Sequence, residues 1–180
     1  KHLILTENGG ELVFMFRGEI TEFQFYQNRK AEKPIMMPFC QEDLEMHGHN
    51  FFELAYITGG TAEHTLENEG NTISAGDYFF VDYGCLHGFQ NCKNLTLINC
   101  LFLPETVDET LQGCRSFSQL LQGCLLKYYR MSLGQAKFAR VFHDRDGQVG
   151  QLMQEMLLEY QEQKVGSYPL LRFKLLEILL

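Results

Sequence analysis

The chain has 180 residues, 45% of them apolar and 21% charged, which is enough to bury one core without disulfide staples. Its formal net charge is −8 and its Lys and Arg residues are scattered, which excludes direct nucleic-acid contact by this segment, because a compact acidic domain repels phosphate. The six cysteines have no C-x-x-C spacing, which excludes a zinc knuckle or a thioredoxin-like site.

The polar opening Lys1–Gly10 predicts no signal peptide, and no apolar run reaches bilayer length. Several cysteines, such as Cys100 in Asn99-Cys100-Leu101-Phe102, sit in apolar runs and read as reduced thiols of a cytosolic protein.

Roughly the first hundred residues read as strands and turns. Glu11–Phe16 and Glu19–Tyr26 are short β-rich segments parted by Arg17-Gly18, and the second alternates Ile20, Phe23 and Phe25 with Glu22 and Gln24. Phe51–Thr58 is a further strand, ended by Gly59-Gly60, and Thr61–Leu66 follows it. Turn clusters at Glu67–Asn71, Ser74–Asp77 and Asp82–Cys85 bracket the short apolar strand Tyr78–Val81. His87–Asn91 and Leu95–Leu103 complete the series. Short strands at this spacing predict a closed antiparallel barrel or a jelly roll.

After Pro104 the period becomes helical. Thr106–Glu109 and Ser116–Gln119 each have the form of a capping box, so a short helix is expected at each. Gln148–Lys164 places Val149, Leu152, Met153, Met156, Leu157 and Tyr160 on one helical face, with Met153 and Met156 expected in a core or at a dimer face. Gly166 suits the position past its end, Ser167 suits a new cap, and Pro169 is tolerated in the first turn of a very apolar helix over Tyr168–Leu180. Such a helix packs on the barrel, pairs with another chain, or is cut within the element.

The stretch with chemistry is His47-Gly-His49-Asn-Phe-Phe-Glu53, joined by His87 on a later strand. On an unbroken strand, residues 47, 49, 51 and 53 project to one face. Three neutral imidazoles and a carboxylate suit Zn, Fe(II), Mn, Ni or Cu, with coordination positions left open. The same groups also suit a metal-free pocket that hydrogen-bonds a small ligand, or a polar cluster that bonds only itself. Phe89 follows His87 by two and either faces a flat ligand or is barrel core. His64, on Thr61–Leu66, is a further pocket-lining candidate. Asp77 is expected to fix its turn, His2 and His143 to lie at the surface, and His143–Asp146 to be a solvated loop or helix start.

These residues resemble the two motifs of the cupin superfamily. The first, G-x5-H-x-H-x3,4-E-x6-G, is matched by His47, His49, Glu53 and Gly60, with Gln41 in place of its opening Gly. The second, G-x5-P-x-G-x2-H-x3-N, is matched by Gly76, Gly84, His87 and Asn91, with Asp82 in place of Pro. Within the superfamily the sequence is most similar to the N-terminal sensor domains of arabinose-operon (AraC) family transcription regulators. Those domains run H-x-H-D-F-Y-E, then G-D-L-F-F-I-x-P-G-x-x-H. This chain runs His49-Asn-Phe-Phe-Glu53, then Gly76-Asp77-Tyr-Phe-Phe-Val81 and Gly84-Cys-Leu-His87.

The resemblance implies a mainly β cupin, a double-stranded β-helix or jelly-roll barrel, over residues 1–104. A helical appendage with dimerisation and linker helices would occupy residues 105–180 of the same domain. It implies a metal set of His47, His49, Glu53 and His87, and a ligand pocket of the same residues with His64 and Phe89. The implied partners are a small-molecule effector, sugar-like or a related metabolite, and a second copy of the chain joined through Gln148–Lys164. DNA would be met only through a helix-turn-helix part after Leu180. The implied protein is cytoplasmic, free of the membrane and not an enzyme. The rival is a metal-dependent cupin enzyme of dioxygenase, isomerase or decarboxylase type, for which no acid or base over the metal stands out.

Overall fold

The structure is a computed structural model that describes residues 10–16, 19–27, 34–126 and 141–180; His2, Arg17 and Gly18 lie outside them. Among the described residues nine strands form one antiparallel sheet: β1 (Gly10–Phe16), β2 (Glu19–Gln27), β3 (Ile35–Gln41), β4 (Leu44–His49), β5 (Phe52–Leu66), β6 (Glu69–Ser74), β7 (Asp77–Val81), β8 (His87–Phe102) and β9 (Val141–His143). The main path runs β2-β1-β4-β8-β5-β7-β9, with β3 on β8 and β6 on β5. The helices are α1 (Pro104–Val107), α2 (Phe117–Leu126), α3 (Gln148–Glu162) and α4 (Ser167–Leu179). The fold is mainly β with C-terminal helices, as expected.

The spine is the ladder between β5 and β8, which pairs Phe52 with Phe102 at one end and Leu66 with His87 at the other. Each strand was expected as two. Each is continuous, because irregularities facing each other let the ladder run on. Gly60 has φ +73 and approaches the carbonyl of Asn94, where a Cβ would lie 2.2 Å from the oxygen. Asn91 and Asn94 also take positive φ on the β8 side. Gly59-Gly60 is thus a bulge inside a strand and not its end.

The bulge reverses side-chain parity along β5. Before it, odd positions Ala55 and Ile57 enter the inner core; after it, even positions Ala62 and Leu66 do so, beside Ile73, Phe79, Val81, Phe89, Leu95 and Leu97. On the other face of the ladder Leu54, Ile98, Cys100 and Phe102 share one core with Met153 and Met156 of α3 and Leu171, Leu175 and Leu179 of α4. One stripe of the apolar last helix is therefore buried, and the helix packs chiefly on α3 and α1.

Several local expectations are corrected. Thr106 does not cap a helix; it is buried inside α1, and Asp108 caps the following 3-10 turn by accepting from the Thr110 N–H at 2.8 Å. Ser116 does cap, accepting from the Gln119 N–H at 3.3 Å, but Gln119 returns its bond to the N–H of Arg115 at 2.8 Å. Ser167 is the first residue of α4 and makes no cap bond; Gly166, at φ +93, holds the cap position, and α3 ends on Gln163 at φ +48. Strands β3 and β9 were not expected, and β4 was expected only as part of an unbroken strand running on through residue 53. Met36 and Met37 in β3, the polar flanks of β4 and the three-residue length of β9 give little alternation to read. The described thiols Cys40, Cys85, Cys92, Cys100 and Cys114 form no disulfide.

His143 and Asp144 are structural and not merely a solvated loop. His143 Nδ1 lies 2.7 Å from Asp77 Oδ1, while Asp77 Oδ2 accepts from the Ser74 N–H at 2.7 Å and so fixes its turn as expected. Asp144 Oδ2 accepts from the Gly150 N–H at 2.9 Å in the first turn of α3 and from the Tyr56 hydroxyl at 3.3 Å. Gly150 leaves the space that Tyr56 needs, since a Cβ there would sit 2.3 Å from the hydroxyl. Gly150→Ala gains about 1 kcal/mol of helix propensity. It also forces Tyr56 off Asp144 in a packed layer, at about 1–3 kcal/mol. Chemical denaturation should therefore find the variant less stable, whereas a stability at or above the native value would show that Tyr56 moves freely.

Candidate functional site

The expected run from residue 47 to residue 53 on one unbroken strand is not what forms. β4 ends at His49, the chain bends at Asn50-Phe51, and β5 starts at Phe52. His49 and Glu53 consequently meet across a bend, with His49 Nε2 3.4 Å from Glu53 Oε2. The Gly84 N–H donates to the His49 carbonyl at 2.8 Å and pins the bend to the turn before His87.

His47 pairs with His87 across β4 and β8, with ring centroids 4.3 Å apart. His49 meets His87 edge-on at 5.3 Å. His64 stands beside Phe89 in the β5–β8 register, and its Nε2 lies 3.5 Å from His87 Nδ1. His47, His49, Glu53, His64, His87 and Phe89 are all buried, with no more than 5% exposure. The structure thus brings all six expected residues together. Phe89 sits 4.9 Å from the His64 ring within the inner core. Phe79, which the sequence reading did not single out, stacks on His64 at 4.0 Å. Tyr78–Val81 is apolar throughout, so no alternation in the sequence marks which of its rings faces inward.

Backbone carbonyls assign the protons on two rings. Nδ1–H of His47 donates to the Glu45 carbonyl at 3.0 Å, and Nδ1–H of His49 donates to that of Phe51 at 2.9 Å. A carbonyl only accepts, so each neutral ring keeps its lone pair on Nε2. The Nε2 atoms of His49 and His87 are buried without a hydrogen-bond partner, as is His64 Nδ1. Buried polar atoms are normally satisfied, so this concentration of orphans at one place marks a site for something else.

One ligand atom each from His49, Glu53 and His87 lies within 4.8 Å of the others. Two ligands about 2.1 Å from one tetrahedral ion are about 3.4 Å apart, which the His49–Glu53 separation matches. The donor set therefore fits a divalent transition metal. His47 stands outside this trio, next to the His87 ring, and so departs from the four-ligand expectation.

Burial dominates the electrostatics. It holds His87 well below the usual histidine range, with the rings of His47, His49 and His64 adding to the effect. Burial likewise lowers His64 to about 4; Glu53 opposes the shift and His47 adds to it. Both rings are neutral near pH 7, which is the form that ligates a metal.

The model of the AraC-like ligand binding domain family matches residues 39–179. The chain is 29% identical over 67 residues to the HTH-type transcriptional activator RhaR of Yersinia pseudotuberculosis, a match covering 37% of this chain and 23% of that protein. It is 29% identical over 89 residues to the HTH-type transcriptional activator RhaS of Citrobacter koseri, covering 49% of this chain and 32% of that protein. The chain thus spans from under a quarter to about a third of the length of these relatives. Among solved structures, the AraC-like transcriptional activator CuxR superposes with a TM-score of 0.46 at 9% identity, over 93% of this chain and 61% of that one. A variant of the oxalate decarboxylase OxdC of Bacillus subtilis gives 0.31 at 10% identity, over 65% and 46%.

The histidine shifts set a pH dependence. An unfolded His64 takes up a proton near its ordinary value of 6.5, and the folded ring does so only near 4. Its contribution is therefore complete above that ordinary value and is lost as pH falls through the interval, where the unfolded chain binds more protons. His87 acts in the same direction. Thermal melts of chelator-treated protein should show Tm falling across that window, with a shallower slope in His64→Leu. Equal slopes in the two proteins would contradict the burial effect.

Proposed function

The chain belongs to the AraC-like ligand binding domain family, and from that premise we propose that it is the effector-sensing part of a transcription regulator. The observation that carries this reading is the cluster of orphaned ring nitrogens, buried with a carboxylate on the inner face of the sheet. A sensing site needs polar groups pre-placed in an apolar wall, and Phe79, Phe89 and Leu66 supply that wall around His64 and His87.

In this reading His49, Glu53 and His87 hold a divalent transition metal (Zn, Ni, Fe, Mn or Cu), with His47 alongside. Bound there, the metal supplies a Lewis-acidic centre with positions open to an oxygen-bearing effector such as a sugar-like metabolite. This reading takes the chain as a sensor, in keeping with the transcriptional activators it resembles, RhaR and RhaS.

The effector acts only by binding one arrangement of sheet and helices more tightly than another. In this division residues 1–104 are the sensing part, whose sheet β9 extends, and the helices after Pro104 carry its state to a second copy of the chain through α3. DNA is contacted by a part of the regulator outside this acidic segment, in the cytoplasm. Among the described residues no helix is long and apolar enough to cross a membrane.

The test is zinc titration by calorimetry, with metal analysis, on the native chain and on His49→Ala and His87→Ala. The native chain should bind one ion. At a hundredfold its Kd, zinc should stabilise the fold by about 2.7 kcal/mol. Both variants should lose the ion; retention in both, or no binding by the native chain, would remove the site.

A second measurement addresses assembly. Leu158 on α3 and Phe173 on α4 are 60% and 65% exposed. Leu158→Asp should shift sedimentation toward the monomer, and an unchanged dimer would place the contact elsewhere.

A further inference from the structure

His87 differs from its neighbours in what holds its second ring nitrogen. His47 and His49 are fixed through Nδ1–H by backbone carbonyls, which assign the lone pair of each neutral ring to Nε2. Nδ1 of His87 faces another imidazole instead, the Nε2 of His64 at 3.5 Å. That imidazole is itself held. His64 is fully buried, and its ring lies on Phe79 at 4.0 Å and tilts against Phe89 at 4.9 Å in a close-packed core.

Resting on the metal-site reading above, we propose that His64 is a positioning residue whose Nε2 accepts the Nδ1–H of His87 and so leaves the His87 Nε2 lone pair for the ion. Proton bookkeeping makes the role specific. Two neutral rings carry one N–H each. If His87 donates to His64, its Nε2 is bare, and His64 carries its own hydrogen on Nδ1. If His64 donates instead, the hydrogen of His87 sits on Nε2, and a cation is excluded. His64 thus plays for His87 the part that the Glu45 and Phe51 carbonyls play for His47 and His49. An outer partner of a metal-bound histidine fixes both tautomer and ring orientation.

Substitution separates this role from filling space. His64→Leu keeps an apolar side chain but removes the acceptor; His64→Gln keeps an amide oxygen able to accept. Zinc calorimetry on the native chain, these two variants and His87→Ala, each checked for folding by circular dichroism, should give a graded result. His64→Leu should weaken zinc by about tenfold to a hundredfold. His64→Gln should recover most of that loss, and His87→Ala should abolish binding. Independently of any variant, nitrogen-15 long-range spectra of the zinc-loaded native chain should show His87 protonated on Nδ1. Folded His64→Leu that binds zinc as the native chain does, while His87→Ala does not, overturns the positioning role and leaves the metal site standing. So does a loaded spectrum with His87 protonated on Nε2. Should His64→Leu fail to fold, the native spectrum alone decides. A native chain that takes up no zinc removes the metal-site reading, and the role of His64 with it.

Discussion

The β5–β8 ladder and the bulge at Gly59-Gly60 decide which side chains share a cavity. β5 is long enough to bring both Glu53 and His64 against β8, but eleven positions apart they would face opposite sides of a regular strand. The reversal of parity at the bulge returns His64 to the inner face, where it meets His87. Gly60 permits this because its positive φ and close approach to the Asn94 carbonyl exclude any side chain. A regular strand would turn His64 outward into the layer that the helices occupy.

Within that cavity the physical cost is polar burial. Four imidazoles and a carboxylate in an apolar core are tolerable only when the rings are neutral and most of their nitrogens are engaged. Burial enforces neutrality at His64 and His87. Local carbonyls satisfy His47 and His49 on one side of each ring at little entropic cost, since donor and acceptor lie two residues apart. The nitrogens left over are not spread through the core. Those of His49, His64 and His87 gather in one cluster, and a ligand atom each of His49 and His87 lies within 4.8 Å of one from Glu53.

The metal-type spacing of His47, His49, Glu53 and His87 was legible in the sequence because those positions stand in two short, regular patterns. The route by which they meet was not. An unbroken strand through residue 53 predicts a shared face by parity, whereas the chain bends at Asn50-Phe51 and reaches the same juxtaposition by starting a new strand. Gly59-Gly60 reads as a strand end because glycine pairs usually are. Only the long partner strand, a non-local feature, makes it a bulge. Two of the three expected caps failed for a similar reason, while Ser116 held. Thr106 and Ser167 have the right chemistry, but Pro104 and Gly166 set the helix starts elsewhere. The amphipathic face of α3 was legible outright, since Met153 and Met156 are its buried centre.

The link from site to helices follows from strand geometry. Glu53 points inward, while its neighbours Leu54 and Tyr56 face outward; Leu54 is part of the layer that receives α3, and Tyr56 packs against it. Tyr56 donates to Asp144, and the same carboxylate oxygen accepts from the Gly150 N–H in the first turn of α3. α3 in turn is joined to α4 by Glu155 and Lys174, and α4 to α1 by Arg172, whose Nε donates to the Val107 carbonyl at 2.8 Å. From the β5 backbone at Glu53 to the start of α3 the connection is three residues of strand and one carboxylate. Packed interiors respond to a displacement by changing arrangement and not by absorbing it. A carboxylate that took up an ion would pull on a strand whose outer face is already tied to the helix start.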